Sequence, residues 1–195
     1  MILLVDYGDS FIFNLFQYLG ELGEEAAIIK GDETLLQEIG RKAPDAVILS
    51  SGPCRPEKAA SSSKIVLDIY KSVPILGISF GHLVIGRAFG AKLKPVERPM
   101  QGKMSLMTHE GKGLFASLNS PLEVMRYHSH VIDKNSLPDC LEAAGFAEDD
   151  GELMAIRHKQ YPVFGLQFHP ESIGTEFGKK MLENFLKITR GGEGK

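Results

Sequence analysis

The chain has 195 residues, of which 43% are hydrophobic and 24% charged, with a formal net charge of −3; at this length one domain with a sizeable core is expected. The 22 basic residues are scattered, which argues against a nucleic-acid partner, and no apolar run approaches the roughly 20 residues needed to cross a bilayer. The Met1–Asp6 start has no basic region, long apolar stretch or small-residue cleavage site, so no signal peptide is expected. With only Cys54 and Cys140, neither a disulfide scaffold nor metal-ligand spacing is present, and the cytoplasm is the expected location.

The first half alternates short apolar runs with helical patterns. Ile2-Leu3-Leu4-Val5, Ala26-Ala27-Ile28-Ile29, Ala46-Val47-Ile48-Leu49 and Ile75-Leu76-Gly77-Ile78 are continuous enough to be strands covered on both faces. Between the first two, Leu15, Tyr18, Leu19 and Leu22 recur at helical spacing, with Asp9 or Ser10 as N-cap and Gly23 past the end. Leu35, Leu36 and Ile39 predict a second helix; Ile65, Val66, Ile69 and Tyr70 predict a third. This repetition implies an α/β fold with a mainly parallel central sheet and helices on both faces.

After Gly90 the pattern changes. Residues 92–96, 105–108 and 122–125 read as a small set of half-exposed antiparallel strands, and Val163–Phe168 as a buried strand. Phe177, Met181, Phe185 and Ile188 predict the apolar stripe of a closing helix, and residues 191–195 a frayed polar tail on a single domain spanning 1–190.

In open α/β sheets ligands collect beyond the carboxyl ends of the strands, and three loops there carry chemistry. Ser50-Ser51-Gly52-Pro53-Cys54-Arg55-Pro56 is a Gly/Pro turn after the third strand. Gly77-Ile78-Ser79-Phe80-Gly81-His82 places small residues two positions either side of Ser79, the pattern of a strand-to-helix elbow that lifts a nucleophile clear of the sheet. The backbone N–H groups beside it are suited to an oxyanion. His169-Pro170-Glu171-Ser172 offers a base and its orienter, or two polar strand-end residues. A nucleophile position at one strand end and a His/Glu pair at another are the parts of a triad. His82, His109, His128 and His158 lack metal-ligand spacing and read as structural or surface residues.

Across nearly its whole length the chain resembles the glutamine amidotransferase subunits of anthranilate and aminodeoxychorismate synthases. The resemblance is carried by Val5-Asp6-Tyr7-Gly8-Asp9-Ser10-Phe11-Ile12-Phe13-Asn14-Leu15, Gly102-Lys103, Arg126-Tyr127-His128-Ser129 and Gly165–Ser172. It implies a class I amidotransferase (flavodoxin-like) fold and attack on the glutamine side-chain amide by a nucleophile at position 79, aided by His169 and Glu171. Backbone N–H groups near Cys54 and Phe80 would hold the oxyanion. Gly52, Pro53, Cys54, Phe80, Leu83, Ser129 and His130 would contact glutamine. Ammonia would pass to a separate chorismate-binding synthase subunit, and no metal or organic cofactor is implied.

The chain departs from the resembled pattern mainly at the chemistry. Ser79 stands where those subunits carry a cysteine, Leu83 where they carry glutamine, and Cys54-Arg55 where they carry glycine and threonine. Tyr7-Gly8, Phe80, Gln101 and His130 also differ. A hydroxyl is a much weaker nucleophile than a thiol near neutrality, so glutamine hydrolysis is expected to be absent or strongly reduced. Three readings follow: an amidotransferase subunit weakened at Ser79, a non-hydrolysing partner-binding or regulatory subunit, and a serine esterase or amidase. Cys54 as a substitute nucleophile is a further option, opposed by its place in the oxyanion loop.

Overall fold

A computed structural model describes residues 1–52 and 56–191. The four expected strands of the first half are present as β1 (Ile2–Asp6), β2 (Ala26–Lys30), β3 (Ala46–Leu49) and β4 (Ile75–Ile78). Helices α1 (Ile12–Glu21), α2 (Leu35–Lys42) and α3 (Pro56–Ile69) connect them, and α4 (Phe80–Ala88) follows directly on β4. The strands lie parallel in the order β2-β1-β3-β4. Because side chains alternate across a strand, Ile2 and Leu4 join Leu15 and Leu19 of α1 in one apolar cluster, while Leu3 and Val5 join Leu35 and Ile39 of α2 in the other. Burying each such aliphatic side chain contributes about 1.5–3 kcal/mol, which is why continuous apolar runs mark strands covered on both sides.

The second half is more extensive than its sequence pattern implied. Residues 92–96 and 105–108 fall at the two ends of one 17-residue strand, β5 (Leu93–His109), and 122–125 opens the 11-residue β6 (Leu122–Ile132). Strands β7 (Leu141–Ala147) and β8 (Leu153–His158) were not anticipated; β9 (Val163–Leu166) and α5 (Gly178–Thr189) complete the chain. The small antiparallel set is instead half of a single nine-stranded sheet, ordered β2-β1-β3-β4-β9-β8-β7-β5-β6. Register shifts between Pro95 and Met100 and between Ala143 and Gly145 disturb the period of two that would have exposed these strands.

Two local expectations are corrected. The first helix begins after Phe11 without a side-chain cap; Asp9 instead accepts the Phe11 N–H at 3.0 Å in a turn before it. Phe177 precedes α5 in a left-handed conformation and is exposed, so the buried stripe consists of Met181, Leu182, Phe185 and Leu186. Gly23, with φ +80, does end the first helix.

The far edge of the sheet folds back over α4 and the loop after β9. His169 N–H donates to Met125 O of β6 at 3.0 Å, and a Cβ on Gly86 of α4 would lie 2.4 Å from Ile132 Cδ1. This curl brings β6, late in sheet order, against residues at the carboxyl ends of β4 and β9. No helix among the described residues is long and apolar enough to cross a membrane.

Candidate active site

Ser79 sits on the turn joining β4 to α4, with φ 52° and ψ −101°, a conformation few non-glycine residues adopt. Its surroundings enforce it. Ser79 N–H donates to Leu166 O at 2.7 Å, Gly81 N–H to Ser50 O at 3.2 Å, and Leu83 N–H to Ser79 O at 3.2 Å. The flanking glycines are required by close backbone approach: a Cβ on Gly77 would lie 2.4 Å from Gly81 O, and one on Gly81 would lie 2.2 Å from Leu49 O. The Gly-x-Ser-x-Gly spacing therefore forms a tight elbow wedged between β3 and β9, with the first turn of α4 beginning at Phe80.

β9 is the parallel neighbour of β4, with Ile78 opposite Leu166. Three residues past the end of β9, His169 is 1% exposed and its Nδ1 lies 2.8 Å from Glu171 Oε1. Phe11 and Tyr127 pack T-shaped with the imidazole, ring centroids 5.5 and 5.0 Å away. Below it, Thr175 Oγ1 donates to His169 O at 2.6 Å and accepts from Met125 N–H at 3.0 Å, tying the loop to β6. The outward nitrogen, Nε2, is buried and has no hydrogen-bond partner among the described residues, the Ser79 hydroxyl included.

The remaining expected contacts divide. Gly52 lies beside Tyr7, where a Cβ would meet Tyr7 Cβ at 2.6 Å. Phe80 and Leu83 are buried in the same apolar cluster. On β6, Ser129 Oγ and His130 Nδ1 lie 3.2 Å apart. Pro53 and Cys54 fall outside the described residues, and with them the test of Cys54 as a nucleophile.

Three features had gone without a role. Phe11 and Tyr127 flank His169, and Arg126 is wholly buried beside His128. The alternation of Val124, Arg126 and His128 with Met125, Tyr127 and Ser129 was the available signal, since it puts a guanidinium on the inward face of an apolar strand. Burial holds His82 down to about 3, opposed by the Gly165 backbone. His128 is also held to about 3, first by burial and then by Arg126. His109 stacks on Phe115 and His158 packs among Tyr70, Phe89 and Tyr161, consistent with structural roles.

A cavity of about 790 Å³ opens beyond the carboxyl ends of β1 and β2, lined by Asp6, Tyr7, Lys30, Asp32 and Phe80 among others. Ser79 and His169 are not among its walls. No group of three His, Cys, Asp or Glu among the described residues could hold a metal ion.

A doubly wound sheet with a strained serine turn at one strand end and a buried His–Glu pair past the next defines the class, an α/β protein with its candidate site at the strands' carboxyl ends. The chain belongs to the class-I glutamine amidotransferase family, matching "Glutamine amidotransferase class-I" over residues 3–189. It is 44% identical over 190 residues to the aminodeoxychorismate/anthranilate synthase component 2 of Bacillus subtilis, covering 97% of both chains. It is also 45% identical over 189 residues to the bifunctional protein TrpGD of Thermotoga maritima, covering 96% of this chain and 32% of that longer one. Among solved structures, a putative GMP synthase subunit from Thermoplasma acidophilum superposes with a TM-score of 0.87 at 27% identity, covering 97% of this chain and 94% of that one.

Proposed function

We propose that this chain is the glutamine-binding subunit of a chorismate-using synthase of the anthranilate or aminodeoxychorismate type, working in the cytoplasm. The full-length similarity to component 2 subunits supports the assignment. The observation that carries the chemistry is the buried His169–Glu171 pair, 2.8 Å apart, at the strand end next to the Ser79 elbow.

In this reading Glu171 accepts the His169 Nδ1 proton, which fixes the tautomer and leaves Nε2 free to act as base. His169 takes the proton of the residue-79 nucleophile as that atom attacks the glutamine side-chain carbon. The proton then passes to the departing nitrogen as the C–N bond breaks, so ammonia leaves and a γ-glutamyl ester remains for water to cleave. Phe80 N–H, at the start of α4, and the Gly52–Cys54 loop supply the oxyanion donors. Leu83, Ser129 and His130 border the substrate. No cofactor takes part, and ammonia passes to the partner subunit.

Serine is the poor member of this set. Its hydroxyl is far less ionised than a thiol near neutrality, and Leu83 offers glutamine no polar contact. The Ser79 protein is therefore a weak glutaminase. Ammonia release from glutamine, measured before and after Ser79→Cys in the presence of a chorismate-using partner subunit, tests this. A gain of about 100-fold or more, within the range one catalytic group contributes, is the expected result. Normal turnover by the Ser79 protein would refute the weakening, and partner association with no hydrolysis in either form would favour a purely partner-binding subunit. The esterase reading predicts a burst from an activated ester that Ser79→Ala abolishes.

A further inference from the structure

One hydrogen bond orients the ring of His169. Its backbone is tied on both sides: the N–H donates to Met125 O at 3.0 Å, and the carbonyl accepts from Thr175 Oγ1 at 2.6 Å. The imidazole itself is held at Nδ1, 2.8 Å from Glu171 Oε1, and Nε2 has no partner among the described residues. A histidine χ2 is a broad, soft torsion, so a bond at one corner leaves the ring plane free to pivot about that contact.

Two aromatic rings oppose that pivot. Tyr127 of β6 packs T-shaped with the imidazole, centroids 5.0 Å apart and planes at 76°, and Phe11, just before α1, does so at 5.5 Å and 65°. The two also pack on each other, at 5.2 Å and 42°. The three rings thus form a closed triangle in which none turns without displacing another. T-shaped contacts are favoured by the ring quadrupoles, so the arrangement selects one plane and does not merely crowd the others. Tyr127 and Phe11 are half-buried, while the imidazole beside them is 1% exposed.

Each aromatic ring is fixed by a motif that the proposed chemistry leaves unused. Gly102, of the Gly102-Lys103 motif, has φ +65 at a register shift between β5 and β6, and a Cβ there would lie 3.6 Å from Tyr127 Cε1. The irregularity brings β5 backbone against the Tyr127 ring. Phe11 belongs to the opening Val5–Leu15 motif. Its N–H donates to Asp9 Oδ1 at 3.0 Å, and its carbonyl accepts the Asn14 and Leu15 N–H groups at 3.0 and 3.3 Å as α1 begins.

We propose that Tyr127 and Phe11 are positioning residues: their rings set the plane of the His169 imidazole, so that Nε2 keeps the direction from which it takes the proton of residue 79. This rests on the reading of His169 as the base.

The test is ¹³C relaxation of the His169 ring in ¹³C-histidine-labelled full-length protein, without glutamine or partner. The ring is expected to be rigid on the ps–ns timescale in the unmodified chain and in Tyr127→Phe, which keeps the aromatic ring. It is expected to loosen in Tyr127→Leu and Phe11→Leu, which keep apolar bulk alone. Should Tyr127→Leu fail to fold, Phe11→Leu asks the same question from the other side. An equally ordered imidazole in the Leu variants would show that Glu171 suffices and would end the proposal. On a Ser79→Cys background with excess chorismate-using partner subunit, each Leu change should lower kcat about tenfold, less than the roughly 100-fold that a 1 Å misplacement can cost. KM should hold, and Tyr127→Phe should stay near full activity. A KM effect with kcat held would make these rings substrate contacts, and an equal loss in Tyr127→Phe would assign the effect to the hydroxyl; either result overturns the proposal. If the Ser79→Cys chain hydrolyses no glutamine, the reading of His169 as a base fails, whereas the relaxation comparison needs no turnover and still decides whether the rings orient the imidazole.

Discussion

Tyr7 meets Phe80 edge to face, with ring centroids 5.0 Å apart and planes at 74°. The pair joins the carboxyl end of β1 to the first residue of α4, while Tyr7 Cβ lies against Gly52 and its ring against Gly31. The residue after the serine elbow is thereby held from the side by the first strand.

Burial raises the Tyr7 phenol to about 12. The folded value lies above the unfolded one, so the native state holds the proton longer. Stability is fully present below about pH 10 and falls as pH rises toward 12, by up to about 2 kcal/mol. Urea unfolding of the wild type and Tyr7→Phe through this range checks it: the variant should lose less stability on alkalinisation. Parallel curves would show that Tyr7 does not resist ionisation.

His82 shifts the opposite way, down to about 3, because it is buried. Its contribution is present above the unfolded value near 6.5 and is lost as pH falls toward 3. Between these limits His82→Gln should flatten the acid-side dependence of unfolding free energy by about 1.4 kcal/mol per pH unit, one proton's worth. Denaturant titrations at several pH values measure that slope directly.

The elbow glycines cannot accept even a methyl group. Gly81→Ala would place Cβ 2.2 Å from Leu49 O, and Gly77→Ala would place it 2.4 Å from Gly81 O; both obstacles are backbone. Each change is expected to cost about 1–3 kcal/mol or more, seen as a lower Tm. In a Ser79→Cys background each should also reduce glutamine hydrolysis by displacing the nucleophile. Gly40→Ala, at an exposed position of α2 with open space around it, is the control that should do neither.

Glu171 is almost fully buried with its partner His169. In the Ser79→Cys background, His169→Ala should lower kcat by about 10²–10⁴, the usual range for a general base. Glu171→Gln keeps the shape but loses the carboxylate that selects the tautomer, so kcat should fall while KM holds. Steady-state glutamine kinetics separate the two constants, and a pure KM effect would argue for a substrate-binding role instead.

Much of the first half was legible because its physics is local. The runs at 46–49 and 75–78 coincide with β3 and β4, since a strand buried on both faces leaves no polar position to blur the pattern. The elbow was equally readable, because its two glycines and serine answer to clashes within a few residues and with the neighbouring strand. β7 was hidden because Ala143, Ala144 and Gly145 carry little contrast between faces and a bulge shifts their phase. Phe177 had the right spacing for a helix stripe, yet the chain turns there before α5 begins.

Composition and spacing alone determined the parallel α/β core, the serine elbow and the His–Glu motif, since each depends on side-chain periodicity or on residues close in the chain. Only the tertiary structure decided that β5 to β8 extend the same sheet and that its far edge curls back over α4. That curl sets Tyr127 beside His169 and buries Arg126 against His128. Tyr127 and His169 stand dozens of residues apart in sequence, and only sheet pairing brings them together.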